Sequence, residues 1–541
     1  MRIDGTDMLV HVPPATANAC ALGLIGTRQD DGEWRLPWTY NNAFDLANAD
    51  VPVITPMPRD YKFSGKFTPK AYQVQASDFL AARRRAYMFL PPGSGKTVTS
   101  LWAADYLLGI GAVSKVLVIC TRSIMYTAWA EEIREHFRHR SYTVLEGGDS
   151  RKRAKRAERP THFHIINHDG VHFIQAALCA ANYDLIILDE STAAQNTGSR
   201  RWKAIRKLVR PTTRLWEMTG TPIPQSPENA HGQIRLMGNV DDEGNYITPG
   251  GDVPAFMSAE RWKTETMIHA SGYRWEPKRD SNATVFRFMK PAFRRSKREI
   301  LPELPVPMPQ RYELPLTPAQ ETAIKDLTKE KVYDVSESHV VTAVNAGVLL
   351  SKVIQVCTGI AYAEPVEAGY DEGGERVVQR FKTEAKKAQM MDLIEQAQAK
   401  ALVYVPFVAA LEDVASHIRS HGYNVAILQG KVTSRKLAEV MTAFQSDAAD
   451  APHVIVAIPQ KMSHGVTATA ADLIVWYSPV LRAEVYQQAN ERTDRIGQTR
   501  VTQIAHLSSC DVERKLYDRL ESRTLTQEAF LDMYSELVRS K

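Results

Sequence analysis

Three short runs in the first half of the chain are apolar at consecutive positions: "KVLVIC" (115–120), "HFHIIN" (162–167) and "DLIILD" (184–189). A strand with one wet face alternates apolar and polar residues. Continuous runs mark strands covered on both faces, as in a parallel sheet wrapped by helices. Helical patterns separate these runs from about residue 65 to residue 235. A second series begins near residue 400, with "ALVYVPF" (401–407), "YNVAILQG" (423–430), "HVIVAI" (453–458) and "DLIVWYS" (472–478). The pattern predicts two α/β lobes in tandem. Residues 239–290, with Gly, Pro and aromatic residues and less regular periodicity, read as an insertion.

Ahead of the first lobe, "GTRQDDGEWRLPWTYNNAFDLA" (26–47) predicts a strand, an Asp-Asp-Gly turn, a second strand and a short helix. The Pro-rich "VPVITPMPRD" (51–60) reads as a linker. The expected organisation is a small α/β accessory region over 1–60, a first lobe over 61–295 carrying the insertion, and a second lobe over 296–541 with a helical insertion and C-terminal helices.

Composition changes this picture little. The 541 residues are 44% hydrophobic and 24% charged, with a net charge of +5, as in an ordinary soluble protein. That charge permits local patches for nucleic acid without arguing for them. Cys20, Cys120, Cys179, Cys357 and Cys510 are scattered, with no CxxC pair, which speaks against zinc and against a disulfide framework. The opening residues lack the basic-then-apolar pattern expected of a signal peptide, and no apolar segment approaches the ~18 residues that would cross a bilayer. The expected setting is the cytoplasm of a microbe or of a virus-infected host cell, with no membrane partner. The basic run "RKRAKRAERP" (151–160) reads as a solvated helix and loop, and His168 in "INHDG" as a structural histidine.

The candidate chemistry begins at "MFLPPGSGKTVTSLWAADYLL" (88–108), where an apolar strand meets Gly93-Ser94-Gly95-Lys96-Thr97 and then an amphipathic helix. Glycines let backbone N–H groups converge on phosphate oxygens, and the helix N-terminus adds partial positive charge. Lys96 then reaches the β- and γ-phosphates, and Thr97 places its hydroxyl on Mg²⁺. Leu90 stands where the full phosphate-loop pattern has its first Gly. "DLIILDEST" (184–192) ends a buried strand in Asp-Glu, where a phosphate-loop ATPase puts a second Mg²⁺ ligand, Asp189, and the carboxylate that activates water, Glu190. Lys96 and one metal ion do not cover the charge of a transferring γ-phosphoryl group. Arg492 and Arg495 in "QQANERTDRIGQ" (487–498), expected one helical turn apart on one face, suit that task from the other lobe.

In this order the motifs resemble the superfamily-two helicases, and specifically the Swi/Snf-type DNA-translocating ATPases. "YQVQASDFL" (72–80), "VLVICTRSIMYTAWAEEIREHF" (116–137), "LDESTAAQN" (188–196) and "MTGTPIPQ" (218–225) carry the likeness in the first lobe. "FRRSKREILPELP" (293–305) resembles the crossing between lobes. "LLSKVIQVCTG" (349–359), "ILQGKVTSRK" (427–436), "KMSHGVTATAADLIVWYSP" (461–479) and the Arg-Ile-Gly-Gln ending carry it in the second. The resemblance implies two RecA-like lobes and an ATP site built on Gln73 at the adenine edge, Gly93, Ser94, Gly95, Lys96 and Thr97, with Gly465 and Gln488 from the second lobe. It implies Glu190, Lys96, Arg492 and Arg495 as the catalytic groups and Mg²⁺ held through Thr97 and Asp189. Thr219, Thr221, Gly430 and Gly465 become candidates for coupling to, or facing, a DNA backbone. Departures are also present. Motif two reads Asp-Glu-Ser-Thr where the family has Asp-Glu-Ala-His, Gln195 replaces a Lys, Gln225 an Asn, and Thr467 stands at another Asn position. Gly26, Arg28, Asp30, Trp34, Pro37 and Asn41 resemble more loosely a HARP-type module that precedes annealing-helicase motors.

The resulting expectation is an ATP-dependent translocase, favoured as a monomer, that runs on double-stranded or branched DNA by phosphate contacts and remodels protein–DNA complexes or branched DNA. A strand-separating helicase is the rival within the same class. A DNA-binding protein using ATP only as a switch is the rival outside it.

Overall fold

The computed structural model describes residues 1–522 apart from 20–24, 64–67, 148, 224–225, 241–245, 248–257, 272–273, 330–331, 337–338, 343–345, 366–376, 431, 433, 463–466 and 496. The chain divides into two compact units, Met1–Ile300 and Leu301–Lys541.

The first unit is built on a seven-stranded sheet. Its strands run in the order Ala292–Arg294, Arg85–Phe89, Arg214–Thr219, Leu185–Asp189, Val116–Cys120, Phe163–Asn167 and Tyr142–Val144. Every neighbouring pair is parallel. The four central strands are buried at every position; Val116–Cys120 and Leu185–Asp189 read as apolar runs for that reason, whereas Arg85–Phe89 and Arg214–Thr219 carry the buried Arg85, Arg214 and Glu217. The crossing segment near residue 293 supplies the edge strand of this sheet.

The second unit repeats the design with six strands in the order Met308–Glu313, Gln503–Ser508, Ala471–Trp476, Lys400–Tyr404, Val454–Ala457 and Val425–Leu428. These too pair in parallel throughout. A buried ion pair ties its helices to its sheet: Lys386 Nζ donates to both oxygens of Glu513, at 2.8 and 3.0 Å, and to the Tyr477 carbonyl at 3.2 Å. The two parallel α/β sheets wrapped by helices are the expected fold class.

The first sixty residues carry a four-stranded antiparallel sheet and the helix Tyr40–Asn48. The turn between the strands Thr27–Arg28 and Trp34–Pro37 places Gly32 at φ 84°, and Asp31 Oδ1 accepts from the Glu33 N–H at 3.0 Å. The segment after this helix corrects the expectation of a linker. Val51, Val53 and Thr55 are buried at alternate positions, and Thr55 donates from its hydroxyl (2.5 Å) and its N–H (3.0 Å) to Asp78 Oδ1. Val51 and Val53 join the core of the accessory region beside Met8, Leu36 and Leu46, and Thr55 carries the contact to the first lobe. Residues 51–55 are therefore a clamp on the helix Ala71–Ala81.

Candidate active site

The strand Arg85–Phe89 delivers the chain to the Gly-Ser-Gly loop, and the helix Lys96–Gly109 leaves it. Gly93 and Gly95 adopt φ of 77° and 78°, a left-handed backbone that L side chains rarely take. A Cβ on Gly95 would lie 2.5 Å from Gln73 Nε2, so the cradle also needs the missing side chain. The loop is braced from beneath: Tyr72 Oη and Gln73 Nε2 both donate to the Ser94 carbonyl, at 2.8 and 3.1 Å. Gln73 Oε1 accepts from the Lys70 N–H at 2.9 Å, so the amide expected at the adenine edge is engaged in holding the loop. Lys96 Nζ donates to the carbonyls of Leu90 (3.0 Å) and Pro91 (3.4 Å). Ser94 Oγ is buried with no partner among the described residues. Left-handed glycines, an orphaned buried hydroxyl, Lys96 and Thr97 at a fourteen-residue helix's first turn together fit a polyphosphate.

Two strands away, Leu185–Asp189 ends in the predicted carboxylates. Asp189 is buried, and its Oδ2 accepts from Trp129 Nε1–H at 3.0 Å. Trp129 is placed there by a π-helical turn, Met125–Ala130, an uncommon geometry found mostly at functional positions. His168 Nε2 lies 2.8 Å from the Asp189 carbonyl, which can only accept, so Nε2 carries the proton. Burial holds His168 neutral by lowering its pKa to about 4. The Asp189 carboxyl is pushed up to about 6, chiefly by burial and then by the Glu190 charge, while Lys96 and the Trp129 N–H pull the other way. This is a carboxylate whose charge a bound cation would stabilise. Thr97 and Asp189 are the groups that would hold Mg²⁺, whose charge neutralises phosphate oxygens.

Glu190 takes a left-handed backbone, φ 50°, unusual for a non-glycine residue and a form of strain that gathers at functional sites. Its Oε2 accepts from Thr219 Oγ1–H at 3.1 Å, and Thr219 Oγ1 in turn accepts from the Thr221 N–H at 3.1 Å. Thr219 was expected to face DNA. It is fully buried, and its hydroxyl donates to Glu190 instead. Thr221 is only partly covered. Gly220 abuts the phosphate loop, since a Cβ there would lie 2.7 Å from Pro92 Cδ. Glu190, Thr219 and the loop bearing Lys96 are thus joined by direct contacts within one unit.

In the second unit the arginines depart from expectation. The helix is Ala483–Asn490 and stops before both of them, so they do not share a helix face. Local bonds end it: Trp476 Nε1 donates to Asn490 Oδ1 (2.8 Å), Thr493 Oγ1 donates to the Asn490 carbonyl (3.2 Å), and Gly497 turns the chain at φ 101°. Arg492 is buried, its Nε donating to the Gln488 carbonyl at 2.7 Å. Arg495 donates from Nε to the Glu491 carbonyl (3.3 Å) and from Nη1 to Thr467 Oγ1 (3.0 Å). Thr467, a departure from the family pattern, therefore orients a candidate finger. Burial, and then the Arg492 charge, lower the pKa of Arg495 well below its ordinary value. Gln498 staples this turn to the sheet, its Nε2 donating to the Ala471 carbonyl at 2.9 Å. Gln488 is buried, with Nε2 donating to Glu484 Oε1 at 3.2 Å. Gly430 is exposed, with no atom within 4 Å of a Cβ built on it. Gly465, Pro224 and Gln225 lie outside the described residues. The basic run forms the helix Ser150–Ala157, capped by Asp149, with Arg151, Lys152 and Lys155 exposed.

Sequence reasoning did not assign the Trp129 and Thr219 bonds. Trp129 stood out only by resemblance, and nothing local tells which atom an indole or hydroxyl will meet. It also missed Gln233, which is fully buried and accepts from Ser191 Oγ–H at 2.7 Å.

Comparison with known proteins agrees with this geometry. The family described as the type III restriction enzyme res subunit matches residues 66–224, and the helicase conserved C-terminal domain matches 385–497. An ATP-dependent helicase of Mycoplasma pneumoniae is 21% identical over 81% of this chain and 40% of its own length. The SWI/SNF-related matrix-associated actin-dependent regulator of chromatin subfamily A-like protein 1 of Xenopus tropicalis is 22% identical over 85% of this chain and 44% of its own. The chain thus spans less than half the length of these curated relatives. The solved Sulfolobus solfataricus SWI2/SNF2 ATPase core in complex with dsDNA is similar at 19% identity and a TM-score of 0.39, covering 87% of this chain and 94% of that one. A phosphate loop, an Asp-Glu strand end and a helicase C-terminal domain stand here in the order found in the ATP-hydrolysing superfamily-two helicases, and the chain is similar to their Snf2-like branch.

Proposed function

We propose that the protein is a DNA-stimulated ATPase that translocates on double-stranded DNA and remodels protein–DNA complexes or branched DNA. The observation that carries this reading is the bond from Thr219 Oγ1 to Glu190 Oε2. It joins the water-activating carboxylate to the Thr-Gly-Thr-Pro loop that the resemblance assigns to coupling with DNA. A protein that used ATP only as a switch needs neither a strained glutamate nor a hydroxyl aimed at it.

Within this reading Glu190 accepts the proton of the attacking water, and Thr219 holds the carboxylate in line. Lys96 would donate to the phosphates from the loop, and Thr97 and Asp189 would hold Mg²⁺, which supplies charge neutralisation at phosphate oxygens. Arg492 and Arg495 supply planar guanidinium donors for the charge that spreads over the γ-phosphoryl oxygens. DNA is held mainly through its phosphates, so binding is independent of sequence and weakens with salt.

The test pairs ATPase assays on single-stranded, duplex and forked DNA with triplex- and strand-displacement assays. The reading expects turnover to rise with duplex DNA and a triplex strand to be displaced without separation of plain duplex. Robust unwinding of plain duplex would assign the strand-separating helicase instead.

A further inference from the structure

Gln233 lies on the helix Ala230–Met237, outside the segments that carry the family resemblance, and its side chain is fully buried. Its amide makes a bridge. Ser191 Oγ–H donates to Oε1 at 2.7 Å, and Nε2 donates to the carbonyls of Pro222 at 3.0 Å and Asn229 at 3.4 Å. Ser191 is the residue after Glu190, and Pro222 closes the Thr-Gly-Thr-Pro turn. One amide therefore connects the backbone beside the hydrolytic carboxylate to the loop that also reaches that carboxylate through Thr219.

The surroundings make this bridge stiff. At Gly232 a Cβ would fall 2.3 Å from the Ala194 carbonyl oxygen and 2.4 Å from that of Gln195, so the helix backbone rests directly on the turn after Ser191. Trp202 Nε1 donates to the Gly232 carbonyl at 2.9 Å and pins the contact from the other side. The loop has little room to shift toward the phosphates either, because Gly220 is seated against Pro92. A displacement of residues 219–222 must therefore be felt at the phosphate loop, at Glu190, or at Ser191 through Gln233. The serine is part of the device, since the alanine found at this place in the family pattern has no hydroxyl to donate.

We propose that Gln233 is a positioning residue that couples the 219–222 loop to Glu190, so that DNA bound at the loop changes the alignment of the carboxylate. This rests on the reading of the protein as a DNA-stimulated ATPase. Gln233 touches neither nucleotide nor DNA. Its effect lies in the ratio of DNA-stimulated to DNA-free hydrolysis, which packing alone does not set.

The experiment measures ATPase rate and KM for ATP, with and without saturating duplex DNA, for the wild type, Gln233→Leu, Ser191→Ala and the paired Ser191→Ala/Gln233→Leu protein. Thermal melting accompanies each. Gln233→Leu is expected to keep DNA-free turnover and KM within about twofold while the stimulation ratio falls roughly tenfold, the scale of one lost buried hydrogen bond. Ser191→Ala lowers the ratio in the same direction. The paired protein replaces the bonded pair with an apolar one, so its melting recovers while the ratio stays low. A paired protein that regains the wild-type ratio would show that Gln233 serves packing alone and overturn the proposal, as would full stimulation in both Gln233 variants. A wild type that DNA does not stimulate removes the function proposed above, and this inference with it.

Discussion

The ends of two buried segments, Asp189-Glu190 in the first unit and Arg492–Arg495 in the second, orient charge by the same means with opposite sign. The acidic pair is aimed by neutral donors, the Trp129 indole on Asp189 and the Thr219 hydroxyl on Glu190. Among the contacts that aim the arginines are neutral acceptors, the Gln488 carbonyl on Arg492, and the Glu491 carbonyl and Thr467 hydroxyl on Arg495. A neutral partner fixes direction without cancelling charge, while burial works against the charged forms of Asp189 and Arg495. A salt-bridged carboxylate would be as well ordered and far less available. The buried Lys386–Glu513 pair in the second unit shows that alternative: both charges are spent on one another, and the result is architectural.

The sharpest way to break this comparison is to remove a finger. Arg492→Ala or Arg495→Ala is expected to lower hydrolysis by roughly two to three orders of magnitude while nucleotide binding is largely kept, as for transition-state arginines elsewhere. Arg495→Lys is expected to restore little, because an ammonium lacks the fork needed to bond Thr467 and a phosphate oxygen together. Single-turnover hydrolysis beside equilibrium binding of a fluorescent ATP analogue measures both. Near-normal turnover in both alanine variants would return the pair to structural duty.

Next in size is an effect of acid on the first unit. His168 is neutral with its pKa lowered to about 4, whereas in the unfolded chain an imidazole titrates near 6.5. The unfolded state therefore takes up the proton first. The stability this group contributes is complete above about pH 6.5 and is lost as pH falls toward 4. His168→Gln keeps an N–H for the Asp189 carbonyl and cannot titrate. Chemical denaturation across that window should show a loss shallower than wild type by up to about 3 kcal/mol. Superimposable pH profiles would mean that His168 is not held neutral.

A smaller effect follows from the indole. Trp129→Phe retains the ring and deletes the N–H, and should weaken divalent-cation binding in the presence of nucleotide about tenfold, the low end for groups that orient a metal ligand. Titration with Mn²⁺ followed by its paramagnetic signal checks this, and unchanged affinity would confine Trp129 to packing. The smallest effect is expected at Thr467→Val, which takes one neutral acceptor from Arg495 and should slow hydrolysis by roughly three- to tenfold with KM for ATP unaltered. A loss as large as that of Arg495→Ala would mean that Thr467 itself meets the substrate.

The sequence made some of this plain and hid the rest for physical reasons. Strands buried on both faces announce themselves as continuous apolar runs, so both parallel sheets were legible at "DLIILD" and "DLIVWYS". Gly93 and Gly95 were legible because a left-handed phosphate cradle tolerates little else. The docked strip 51–55 was masked by its prolines, although Val51, Val53 and Thr55 carry the period of two that a half-buried strand requires. The helix end before Arg492 was hidden because the bond that holds Asn490 comes from Trp476, 14 positions away. Trp129 on Asp189 and Gln233 on Ser191 are meetings of side chains 60 and 42 positions apart, and only the fold decides them.

The central claim is that Glu190, oriented by Thr219, hydrolyses ATP in response to DNA. Steady-state ATPase activity of the wild type and of Glu190→Gln, each with and without duplex DNA, tests it most directly. The account predicts a wild-type rate that climbs when duplex DNA is added, and a variant that binds ATP yet stays near background in both conditions. Equal, slow hydrolysis by the two proteins, indifferent to DNA, would contradict it.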